Sequence, residues 1–145
     1  MEAQLTIDEI NAKQQLLRDY EPAQKAFAAL EKCNGRLDAS FDELWHENSG
    51  IKAFEQKSLW QITLSELRQE ICGNEGFRGK MKEYTNNPGS APLLTGLIIS
   101  LVSIAGAHGL PLDPAFATII VLYFLKIGLS IYCSYTQQDS EAENK

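Results

Sequence analysis

Charge is what one long stretch of this sequence lacks. Between Ala91 and Thr136 the formal charges are Asp113 and Lys126, whereas residues 1–90 hold 11 of the 13 basic and 15 of the 19 acidic side chains. The mean hydropathy of -0.21 averages these two halves and hides the contrast. Cysteine is also scarce: Cys33, Cys72 and Cys133 are odd in number, widely spaced and free of any CxxC pair. That pattern excludes a disulfide framework as an expectation and favours a reducing compartment. His46 and His108 stand alone, with no cysteine or carboxylate at metal-ligand spacing. No cysteine has a spaced histidine partner that would mark a nucleophile. The expectation is a non-enzyme with no catalytic residue, cofactor or metal. The N-terminus carries Glu2, Asp8, Glu9 and Lys13 where a signal peptide needs an apolar core, so no cleavable leader is expected.

What is present in the first half is helical punctuation. Thr6 and Glu9 have capping-box spacing and should start a helix that turns Ile7, Ile10, Leu17 and Tyr20 inward, with Pro22 interrupting or restarting it. Ala23, Phe27 and Leu30 continue at helical spacing up to a stop at Asn34-Gly35. Ser40 and Glu43 repeat the capping-box spacing before Phe41, Leu44 and Trp45, with Asn48-Ser49-Gly50 as the end. From Ser58 to Cys72 the residues Trp60, Leu64, Leu67 and Ile71 share one face, and Gly73 offers the stop. Phe77, Met81 and Tyr84 mark one more helix. No strand alternation is sustained. Residues 1–85 are therefore expected to be a bundle of four or five short helices, joined to the apolar second half by a linker at 86–90.

Residues 91–136 read as a two-helix transmembrane hairpin, with spans at about 91–108 and 114–135. The first run holds eight Leu, Ile or Val residues and the second ten large aliphatic or Phe residues. Ten such residues contribute about −5 kcal/mol to insertion, against about +3 for Lys126. Gly109, Pro111, Asp113 and Pro114 supply the turn. Arg78, Lys80 and Lys82 precede the first span and the turn has no Lys or Arg, so the positive-inside rule places both termini in the cytoplasm. The expected location is an inner or plasma membrane, with Tyr132 and Tyr135 at the interface and 137–145 as a polar acidic tail.

Two stripes inside the hairpin carry the candidate function. Gly96, Ser100, Ser103 and Ala107 fall at helical intervals on the first span, and Tyr123, Lys126, Ser130 and Cys133 on the second. They are expected to meet as a helix-packing or pore-lining seam. Lys126 would lie roughly 13 Å deep by helical rise, near the depth of Ser100, and an intramembrane charge is a functional candidate by default. Arg78, Lys80 and Lys82 could touch anionic headgroups. The GxxG spacing of Gly76-Phe77-Arg78-Gly79 lacks the strands of a nucleic-acid-binding KH domain, so no nucleic acid is expected. Trp45 and Trp60 are expected in the core. The partners expected are the lipid bilayer and either further copies of the chain or a protein held by the helical domain. Membrane-anchored adaptor is the first expectation. The alternative is an oligomerising membrane effector, similar in architecture alone to small two-span effectors of bacterial conflict systems.

Overall fold

Helix caps place most of the elements. The computed structural model describes residues 3–49, 59–110 and 112–134. Its elements are α1 (Ile7–Leu16), a 3-10 turn (Glu21–Ala23), α2 (Gln24–Lys32), α3 (Leu37–Ser49), α4 (Leu59–Cys72), α5 (Glu75–Asn86), α6 (Ala91–Ala107) and α7 (Pro114–Ile127). A last helical stretch covers 129–134. The protein is all-α: no strand occurs among the described residues, and Gln4 and Arg36 form only an isolated antiparallel bridge.

The Thr6–Glu9 capping box forms as its spacing predicts, with Thr6 Oγ1 accepting from Glu9 N at 3.1 Å and Glu9 Oε1 accepting from Thr6 N at 2.9 Å. The side chains of Asn74, Ser90 and Asp113 accept backbone N–H groups at the starts of α5, α6 and α7, without the reciprocal half of a capping box. The stop after α2 is also as predicted. Asn34 and Gly35 take φ of 58° and 84°, and a Cβ on Gly35 would run into the Leu5 carbonyl. Only glycine fits there.

Two local expectations are corrected. Ser40 is not an N-cap; it lies inside α3, where its hydroxyl donates to the Arg36 and Ala29 carbonyls. Ile7 does not point inward but is 74% exposed, because the first helical turn rides outside the core that Ile10 and Leu17 enter. Ser58, Gly50 and Tyr135 lie outside the described residues.

The larger correction concerns the apolar second half. Helix α7 is buried along ten consecutive residues, Ala115 to Phe124. Helices α2, α3 and α6 and the 3-10 turn surround it. Aromatic side chains from the N-terminal half pack directly on it: Phe41 and Trp45 against Phe116 at 5.0 and 5.9 Å, Trp60 against Tyr123 at 5.0 Å, and Phe77 against Phe124 at 6.0 Å. One continuous hydrophobic core runs from Leu5 to Tyr132, so residues 86–90 connect helices of the same core. A helix that is apolar all round must be covered on every side, and here protein does the covering.

Among the described residues no helix is long and apolar enough to cross a membrane. Helix α6 has 17 residues and α7 has 14. A span needs about 20, and an apolar run of 10–14 is more often a buried core helix. The first boundary agrees with the expected span, but the second run breaks early. Gly128 adopts φ +91°, which ends α7 and redirects 129–134. The described helices therefore give no support to a transmembrane hairpin at 91–136.

Candidate functional site

Helices α6 and α7 pack on one another, but the expected small-residue stripe of α6 is not the face that is buried. Helix α6 faces the core with Leu94, Leu97, Ile98, Leu101 and Ala105. Ser103 and Ala107 are exposed, Gly96 and Ser100 are partly so, and nothing lies within 4 Å of a Cβ built on Gly96. Large side chains win the inward positions because burying them removes far more apolar area from water than burying Gly or Ser. The second stripe does not share one environment, and the break at Gly128 separates Ser130 and Cys133 from Tyr123 and Lys126. Tyr123 is buried against Trp60, Lys126 and Ser130 are exposed, and Cys133 is partly buried.

Lys126 finds a carboxylate 117 residues away in sequence. Its ammonium donates to Glu9 Oε1 at 2.8 Å, the same oxygen that closes the α1 capping box. The Lys126 ammonium first, and the Thr6 backbone N–H second, hold the Glu9 carboxyl below its ordinary value of 4.5. A depressed carboxyl contributes stability above its unfolded pKa and loses it as pH falls through the folded value. Glu9→Gln should thus be slightly less stable than wild type at neutral pH, with the two converging below about pH 4. The pair is a third or more exposed, so the difference in urea midpoints should correspond to only a few tenths of a kcal/mol.

The three cysteines depart furthest from expectation. Cys72, the last residue of α4, is joined to Cys133 by a disulfide with a Cα–Cα distance of 5.9 Å. Cys33 is free. No spacing rule could have paired residues 61 apart; the fold brings them together by directing 129–134 back onto α4. Tyr132 assists. It is 1% exposed, donates its hydroxyl to the Leu64 carbonyl, and packs its ring 4.7 Å from Phe124. The expected interfacial tyrosine is a core residue.

Beside the disulfide lies a groove of about 500 Å³ between α5 and the end of α7. Its floor is apolar, with Met81, Phe124, Leu125 and Leu129, and its rim carries Arg78 and Lys82. Arg78 also donates from Nη1 to the Cys72 carbonyl at 3.3 Å, which ties the basic rim to the disulfide. Ser130 and Cys133 complete the wall. Four residues singled out in the sequence for separate reasons, Arg78, Lys82, Ser130 and Cys133, therefore share one site. Lys80 is exposed on α5 but does not line it. A cationic rim over an apolar floor suits an amphiphile with an anionic head.

The remaining candidates sit elsewhere. His108 caps the end of α6 and pairs with Glu70 at 2.8 Å. His46 is partly buried on α3. Gly76 and Gly79 lie within helix α5, so the GxxG spacing forms no loop. Trp60 is buried and Trp45 packs on the core. Comparison of the chain with protein-family models, curated proteins and solved structures found no match.

Proposed function

We propose that the protein is a non-catalytic helical adaptor that works at a membrane surface, holding a protein partner or its own copies there. The observation that carries this reading is the groove that the exposed cations Arg78 and Lys82 line together with Met81, Phe124, Leu125 and Leu129. In a chain of net charge −6, two cations gathered over an apolar floor favour an anionic lipid head with its first acyl carbons below it. Partner binding has its own candidate surface in the outer face of α6. That helix has no charged residue along its length, and Ile99 stands 55% exposed between Gly96, Ser103 and Gly106.

Flotation with vesicles tests the groove. Binding should require phosphatidylglycerol in a phosphatidylcholine background and weaken with salt. The double variant Arg78→Gln/Lys82→Gln should bind roughly 30-fold more weakly, at about 1 kcal/mol per basic side chain. Equal binding of wild type and variant, or equal binding to neutral vesicles, would remove the basis for the reading.

A second reading, a membrane effector whose copies associate inside the bilayer, draws on a different observation. The charge-poor run of 91–136 is apolar enough to partition into lipid once its protein cover is removed.

A further inference from the structure

A kink and a latch sit at the two ends of one short segment. Gly128 supplies the kink with φ +91°, a conformation that L side chains rarely adopt, and nothing lies within 4 Å of a Cβ built there. The Cys72–Cys133 disulfide supplies the latch, five residues further on. Between them Tyr132 is held through its hydroxyl to Leu64. Once the segment is released, Gly128 has no intrinsic preference for its positive φ, since glycine populates helical φ about as readily.

Length then changes the physics. Helix α7 alone has 14 residues and rises roughly 21 Å, too short for a hydrocarbon layer of about 30 Å. Joined to 129–134 it would run from Pro114 to Ser134, 21 residues and roughly 31 Å. Lys126 is the only formal charge in that run. Helix α6, with 17 residues, already reaches the lower limit of about 17 for a span.

From these placements we infer that the disulfide is a redox latch on membrane insertion. Oxidised, it keeps 129–134 folded against α4 and α7 buried in protein. Reduced, it lets 114–134 become one helix that enters a bilayer as the return arm of a hairpin with α6. The reductant is a dithiol. One of its thiolates attacks a sulfur of the Cys72–Cys133 bond and forms a mixed disulfide; its second thiol resolves that bond. Two electrons and two protons pass to the cysteine pair, which ends as two thiols while the dithiol becomes a disulfide. Access is open, since both cysteines are only partly buried and Cys133 lines the groove. The inference rests on the membrane-effector reading and adds to it a trigger and a moving segment.

The test mixes the oxidised full-length protein with phosphatidylcholine/phosphatidylglycerol vesicles, with and without dithiothreitol, and floats them through alkaline carbonate. Carbonate strips surface-bound protein but leaves inserted protein. Reduction should raise the carbonate-resistant floated fraction at least tenfold. Gly128→Ala, strained at positive φ, should raise it further, and Lys126→Leu should do the same by removing the one charge. Cys133→Ser should float without reductant. Should that variant fail to fold, wild type reduced in the presence of vesicles still decides the matter, because aggregates do not float. Equal resistance before and after reduction, including none in either state, overturns the latch. Carbonate-sensitive binding that ignores dithiothreitol would overturn it while leaving the adaptor reading intact. Carbonate-resistant insertion in both states would overturn the latch but keep the effector reading.

Discussion

Phe116→Ala should destabilise the entire chain by about 3–5 kcal/mol, the usual cost of deleting a buried aromatic side chain. Phe116 sits on α7 but is held by Phe41 and Trp45 of α3, so its loss opens a cavity between the two halves of the sequence. Both tryptophans, Trp45 and Trp60, belong to the N-terminal half, and each packs on an aromatic ring of α7, so their fluorescence reports on the contact between the halves. Their urea transition should shift together with the far-ultraviolet circular dichroism transition, as a single cooperative unit requires. If α7 belonged to a hairpin separate from the N-terminal helices, Phe116→Ala would leave the tryptophan transition where it was. A double-mutant cycle between Phe41 and Phe116 should show coupling of about 0.5–1.5 kcal/mol, the range of aromatic pairs.

The second large effect is expected at the disulfide. Cross-linking residues 61 apart removes loop-closure entropy from the unfolded chain worth about 4 kcal/mol in the chain-entropy account. Cys133→Ser should therefore lower the melting temperature by roughly 10 °C or more for a chain of this size. Wild type in dithiothreitol should match it. Cys33→Ser should leave the melting temperature of the oxidised protein nearly unchanged, because Cys33 takes no part in the bond. A melting temperature indifferent to reductant would mean that the bond contributes nothing to folding.

Much of the fold could be read from local signals, and the reasons for the failures are physical. The capping box at Thr6–Glu9, the stop at Asn34-Gly35 and the buried face Trp60–Leu64–Leu67–Ile71 all depend on neighbours within a few residues. Ser40 misled because its spacing to Glu43 suits a cap, yet a serine inside a helix satisfies its hydroxyl on the carbonyl four residues back. The apolar run of 91–136 is ambiguous for a deeper reason. A helix covered by lipid and a helix covered by protein present the same apolar composition, and what separates them is length. Gly128 was visible in the sequence, but its positive φ, and hence the 14-residue length of α7, was not.

The candidate site was legible in part. Arg78 and Lys82 could be picked out as cations next to an apolar run, and Ser130 and Cys133 as polar positions within it. Their meeting in one groove depends on the turn at Gly128 and on the Cys72–Cys133 bond, which are long-range outcomes of packing. The same holds for Lys126, whose partner Glu9 lies at the far end of the chain.

The central claim is that α7 is the core around which the N-terminal helices pack. Amide hydrogen exchange of the oxidised protein in buffer without lipid or detergent tests it most directly. The amides of Ala115–Phe124 should be among the slowest, exchanging with the same opening free energy as those of Phe27 and Leu30 in α2, because one global unfolding event exposes both. Rapid exchange of α7 in buffer, with protection appearing only when lipid is added while α2 is protected throughout, would contradict it.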